Sequence, residues 1–185
     1  MKKKVIYSII IVSVIIILSV AVTYAVYTFS GSVNISGTSE CFDVNYVKGQ
    51  DIGSDSNPAN FVLASTYTEG LSSVIKVNLK DTCTITNGTG TLYLNTDTSV
   101  TSSTLLSGKL LKYQVLDGTT PVGSGIVSRA ESVEIYKDIP ITTTVKTITV
   151  YIWLDGNLVT EQNQNEILSS VYKGHISMDI KSGDK

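Results

Sequence analysis

Lys2, Lys3 and Lys4 are followed by a stretch, residues 5–39, without a single charged side chain. Its apolar heart, residues 9–22, is Ile, Val, Leu and Ala broken only by Ser13 and Ser19. A helix over residues 5–26 would be about 33 Å long at ~1.5 Å per residue, enough to cross a ~30 Å hydrocarbon core. Nothing in it would have to be neutralised in lipid. Lysines hold such a start on the cytoplasmic side, which puts the remainder of the chain outside. A buried core helix of that length would show a polar face, and this run has none.

Two readings of the segment stand. A basic start, an apolar stretch and the small residues Thr23 and Ala25 around Tyr24 suit a signal peptide cut between Ala25 and Val26. A run longer than the usual apolar core of a signal peptide suits a retained transmembrane anchor. Either way the sequence divides into residues 1–27, signal peptide or anchor, and residues 28–185, an extracellular domain at the cell surface or secreted from it. The partner implied at the N-terminus is the lipid bilayer.

Beyond the anchor the chain is long enough for one domain with a real core. With the three N-terminal lysines set aside, 11 Lys and Arg face 16 Asp and Glu. That acidic balance argues against nucleic acid as a partner and against adhesion to anionic membrane through a basic patch. Charged residues are 16% of the chain, whereas Ser and Thr number 45 of 185. A Thr-, Val-, Ile- and Tyr-rich chain of low charge suits β-structure.

Period-two alternation recurs along the domain. In residues 26–35, Val26, Thr28 and Ser30 lie on one side, and Tyr27, Phe29, Val33 and Ile35 on the other. Phe42, Val44 and Tyr46 share a face, and residues 61–64 are a short apolar strand. Residues 74–85 give the clearest strand, with Ile75, Val77, Leu79, Cys83 and Ile85 of one parity; Asp81 breaks it at a bulge or rim. The glycine-rich residues 87–90 then predict a hairpin over residues 75–95. Leu111, Tyr113 and Val115 alternate up to a turn at Asp117 and Gly118. Residues 122–127, with Gly123 and Gly125, predict a weak or bulged strand. Residues 144–154 are apolar on both faces and predict a central strand. Residues 162–172 carry the helical spacing, in Ile167, Leu168, Val171 and Tyr172. Ile176, Met178 and Ile180 predict a last strand with His175, Ser177 and Asp179 toward solvent. About nine short strands with polar turns predict an all-β chain, an antiparallel β-sandwich of jelly-roll or Ig-like kind.

Cys41 and Cys83 are the two cysteines. Outside the membrane they are expected to form one disulfide, with free buried thiols as the alternative. The search for reactive groups yields little. His175 is the one histidine, and a catalytic or zinc role needs further ligands or a nucleophile beside it. There is no HExxH, no CxxC and no phosphate-binding glycine loop before a helix. Gly123, Ser124 and Gly125 lack the spacing of a nucleophile elbow. Asp51, Ser54, Asp55, Ser56 and Asn57 could offer oxygens to calcium, but the spacing fits no calcium-hand loop and a solvated turn is expected. Two glycosylation sequons, at Asn34 and Asn87, read as strand and turn residues. Tyr151 and Trp153, lined up with threonines, form either a flat face for stacking carbohydrate or cross-strand packing against a second sheet. No catalytic residue, metal or cofactor is expected.

The lysine start, the apolar run and the Thr23, Tyr24, Ala25 junction leading into Tyr27 and Phe29 resemble the N-termini of camelysin and TasA-type secreted biofilm matrix proteins. The segment VIKVNLKDTCTITNGTGTLYLN, residues 74–95, is similar to that family's strand, asparagine-containing turn and returning strand. The resemblance implies a jelly-roll-like sandwich secreted by Gram-positive bacteria. It also implies fibres in which an N-terminal strand completes the sandwich of a neighbour, and residues 26–35 sit at the matching position. Cys41 and Cys83 depart from the family, as does the low glycine content before Thr23. Camelysin-like members are described as proteases, but no matching catalytic residues are present in this chain. The expected function is therefore a non-enzymatic surface or secreted structural protein, a subunit of matrix fibre, envelope or adhesion. A carbohydrate- or ligand-binding module is the alternative.

Overall fold

The structure, a computed structural model, describes residues 25–35, 41–48, 59–61, 63–128, 131–168 and 170–183. Eleven strands occur among them, in two sheets packed face to face. Sheet A has the order β3 (Ala59–Phe61), β1 (Ala25–Ile35), β11 (Val171–Ser182), β6 (Gly88–Thr96), β9 (Ser132–Ile141). Sheet B has the order β2 (Phe42–Lys48), β5 (Leu71–Leu79), β10 (Lys146–Asp155), β7 (Leu111–Asp117), β8 (Thr120–Ile126), and β4 (Leu63–Ala64) also pairs with β10. Two short helices, α1 (Ser103–Ser107) and α2 (Gln164–Leu168), interrupt the strands.

The alternation explains why these segments become strands. Along β10, Ile148, Val150, Ile152 and Leu154 are buried, and along β11 so are Tyr172, Ile176, Met178 and Ile180. Ile75, Val77 and Leu79 of β5, Leu92 and Leu94 of β6, and Leu111 and Val115 of β7 join them in one core between the sheets. Each such side chain contributes about 1.5–3 kcal/mol on full burial. β10 is central, as its two-sided apolar pattern predicts, lying between β5 and β7.

Four sequence-based expectations are corrected. The sandwich is mainly antiparallel, but β1 runs parallel to β11 and β4 parallel to β10. The hairpin over residues 75–95 does not form, because β5 belongs to sheet B and β6 to sheet A. The strand stops at Leu79: Lys80 donates its amide to the Cys41 carbonyl, and residues 80–87 cross from one sheet to the other. Gly88 and Gly90 are therefore strand residues. A Cβ on Gly88 would meet the Phe42 ring at 2.6 Å, so glycine lets the two sheets close at this end. The helical stretch shrinks to residues 164–168, and Tyr172 joins β11, whose period-two pattern wins over the helical one. Finally, Ile176, Met178 and Ile180 face the core as expected, but the outward residues of β11 are less open to solvent than expected: Ser177 is buried, and His175 and Asp179 are half-buried, because β11 lies between β1 and β6.

Strand directions define two ends. One end gathers the start of β1, residues 59–70, residues 97–110, the end of β8 and residues 156–170. Leu105 and Leu106 of α1, Leu110, Val127 and Ile167 of α2 plug it with apolar side chains. The opposite end carries residues 80–87, the turn at Gly118, residues 142–145 and the end of β11.

On one flank of the sandwich β8 and β9 come together, and a Cβ on Gly123 would run into the carbonyl oxygen of Ile135. Gly123→Ala is expected to push β8 off β9 and to cost about 1–3 kcal/mol, read from urea unfolding. An unchanged midpoint would show that the flank is not tightly closed.

Candidate functional site

Four features carry whatever chemistry the described residues offer. The first is covalent. Cys41 stands one residue before β2 and Cys83 in the crossing between the sheets, and they form a disulfide with Cα atoms 5.6 Å apart. It is the bridge expected from the sequence, and such bridges persist in oxidising compartments outside the cytoplasm. It ties the crossing to the edge strand of sheet B, so its loop spans 42 residues.

The second is a polar cleft of about 650 Å³ at the end where β6 finishes and β9 and β11 begin. Asn95, Asp97, Ser99, Glu131, Lys173 and His175 are among its walls. Asp97 accepts hydrogen bonds from the Ser99 hydroxyl and amide and lies 3.6 Å from Lys173, which together hold its carboxyl below the usual range. Asn95 donates to the Ser177 hydroxyl at 2.7 Å. His175, expected on an open solvent face, is half-buried in this wall. Glu131 and Asp97 reach the cleft from different connections, and no signal in the sequence could have joined them. Among the described residues no group of three or more His, Cys, Asp or Glu could hold a metal ion.

The third is the outer face of sheet B. Tyr151 and Trp153 point away from the core, as their parity requires, and not into a space between the sheets. They meet Tyr67 of the 3-10 turn Tyr67–Glu69, edge-on to Tyr151 at a centroid distance of 5.2 Å and tilted against Trp153 at 6.4 Å. Trp153 is 9% exposed, whereas Tyr67 and Tyr151 keep part of their surface in water. Trp153 is paired with Lys112, whose ammonium binds the buried carboxylate of Asp155. That hydrogen bond, with the amide of Asn157 on the other oxygen, keeps Asp155 ionised to lower pH than an ordinary aspartate.

The fourth is a polar clasp between the sheets at the opposite end. Asp117 accepts from the Tyr136 hydroxyl at 3.0 Å and from the Lys146 ammonium at 2.6 Å. Burial, with the Asp117 carboxylate second, pushes the Tyr136 phenol up to about 12. Burial also raises Tyr172, whose hydroxyl lies 3.2 Å from that of Thr96, to about 12.

The remaining sequence-based sites fall elsewhere. Ala25 and Val26 open β1, whereas Thr23 lies outside the described residues. The calcium question at residues 51–57 also lies outside them. No helix among the described residues is long and apolar enough to cross a membrane.

Replacing both Cys41 and Cys83 by serine is expected to lower stability by about 2–5 kcal/mol in urea unfolding; equal midpoints with and without the bridge would refute its structural weight. At high pH the sign is fixed by the raised tyrosines. Their contribution is complete below the unfolded value of ~10 and is lost as pH rises through about 12. The unfolding midpoint should fall across that window, and Tyr136→Phe should make the fall shallower. The sequence matches no protein-family model and no curated protein.

Proposed function

We propose that this chain is a non-enzymatic structural protein of the cell surface or its secreted matrix, a jelly-roll- or Ig-like sandwich delivered by its N-terminal apolar run. The observation that carries the reading is the position of β1. It pairs in register with β11 from Val26–Val171 to Ile35–Ile180. On its other edge, among the described residues, β3 pairs with Ala25, Val26 and Tyr27. Tyr27, Phe29, Val33 and Ile35 are in register with the core-facing residues Tyr172, Gly174, Met178 and Ile180. The segment therefore extends sheet A as a strand while being the element next to the proposed cleavage point.

Removing it would uncover the edge of β11, a ready template for strand addition. The same strand from a neighbouring copy fits that template. Head-to-tail use of it does not close on itself and builds filaments. On this reading cleavage between Ala25 and Val26 turns an anchored monomer into a subunit competent to polymerise. The resemblance to TasA-type matrix proteins points the same way, as does the closed disulfide of an oxidising compartment.

A second reading, a carbohydrate-binding module, is favoured by the half-exposed Tyr67 and Tyr151 beside Trp153 on the outer face of sheet B. Aromatic rings arranged on an open face can stack on sugars. Under this reading Tyr151→Ala would abolish glycan binding without affecting assembly.

The experiment compares residues 26–185 with residues 37–185 by size-exclusion chromatography and electron microscopy. The longer chain is expected to form filaments, and the shorter one to stay monomeric and to accept a synthetic peptide of residues 26–35. If both remain monomeric, or both polymerise alike, the N-terminal strand is not the linker.

A further inference from the structure

Where the apolar run meets the fold limits how an anchored chain can stand on its membrane. β1 begins at Ala25, directly after residues 5–24, and is flanked at once by β3 and β11. In sequence the apolar run leads straight into β1. A membrane-spanning run that ends there holds the end of the sandwich carrying Ala25 against the lipid headgroups.

Beside the polar cleft, that end also carries exposed apolar side chains. Four large hydrophobic residues are exposed among the described ones: Val100, Ile126, Val145 and Leu158. Three of them belong to it. Val100 lies in the turn after β6, whose Thr101 hydroxyl bonds the backbone of Lys173 beside the start of β1. Leu158 closes the 3-10 turn after β10, and Ile126 ends β8. Val145, at 55% exposure, marks the opposite end. Charges near the first end are mixed and tilt acidic, with Glu69, Asp97, Glu131 and Glu161 against Lys109 and Lys173 among the described residues. Attraction to anionic lipid is therefore not what would hold it there.

We propose that in the anchored form this end of the sandwich is a membrane-contact surface, with Val100 and Leu158 in the interfacial layer of the bilayer. Apolar side chains on such surfaces enter the ~5–10 Å headgroup boundary. The inference rests on retention of the N-terminal run and goes beyond it by naming the face and the residues that touch lipid. It makes the opposite end, with the disulfide and Val145, the face presented to the outside.

The test uses the full chain inserted into preformed phosphatidylcholine vesicles. Because Cys41 and Cys83 are bridged, Val100→Cys, Leu158→Cys and Val145→Cys each add one free thiol for an environment-sensitive fluorophore. Spin-labelled lipid is expected to quench the probe at 100 and at 158 and to leave the probe at 145 bright, with little change on adding salt. Flotation of the vesicles reports anchoring separately. If the chain floats with the vesicles but 100 and 158 stay bright, or 145 is quenched equally, the contact surface is wrong while the anchor stands. If the chain does not float, the anchor itself is wrong and the inference falls with it.

Discussion

Sheet A depends on β11 being hydrogen-bonded along both edges, by β1 on one side and β6 on the other. This strand is the last of the eleven, and its partner β1 is the first. The core therefore cannot close until nearly the whole chain is available. Its inner face brings Tyr172, Ile176, Met178 and Ile180 against the buried rows of β5, β10 and β7. Pairing first with last makes the topology rich in distant contacts, the kind that folds slowly and leaves edges open on the way. In a chain made from its N-terminus, the edge of β11 is the last to be built, long after β1.

How much of this the sequence displays depends on what alternation reports. A period of two says which side chains are buried, and it located β1, β7, β10 and β11, with the core residues of the last three. It does not say which sheet a strand joins. Ile75 to Leu79 and Leu92 to Leu94 carry the same pattern whether their strands are neighbours in a hairpin or face one another across the core. The glycines between them look like a turn in sequence, yet Gly88 is where the Phe42 ring comes closest. Helix α1 escaped because five residues with two buried leucines are too few to show a 3.6-residue period.

The sites follow the same division. With two cysteines in the chain, only one intramolecular pairing was open, so the bridge was legible. The parity of β10 put Tyr151 and Trp153 side by side, but Tyr67 reaches them from a 3-10 turn whose place over the sheet is a tertiary fact. The polar cleft was not legible at all. Asp97, Glu131 and His175 come from three separate segments, joined only because β6 lies between β9 and β11. A solvated histidine and a half-buried one in a cleft wall look the same in sequence.

The parallel pairing of β1 with β11 has a mechanical side. The two strands enter at the same end and leave at the same end, in register over ten residue pairs. The N-terminal run joins β1 at Ala25, whereas β11 finishes at Ser182 at the far end. If that run is held, tension between it and the far end of β11 acts along the strands and loads their shared hydrogen bonds together. Pulling an antiparallel pair apart at a hairpin mouth would instead break its bonds one after another. The same holds if β1 comes from a neighbouring copy, because the pairing and the direction of load are unchanged. A ladder loaded in shear, with a disulfide securing the crossing between the sheets at the far end, suits the structural role proposed above.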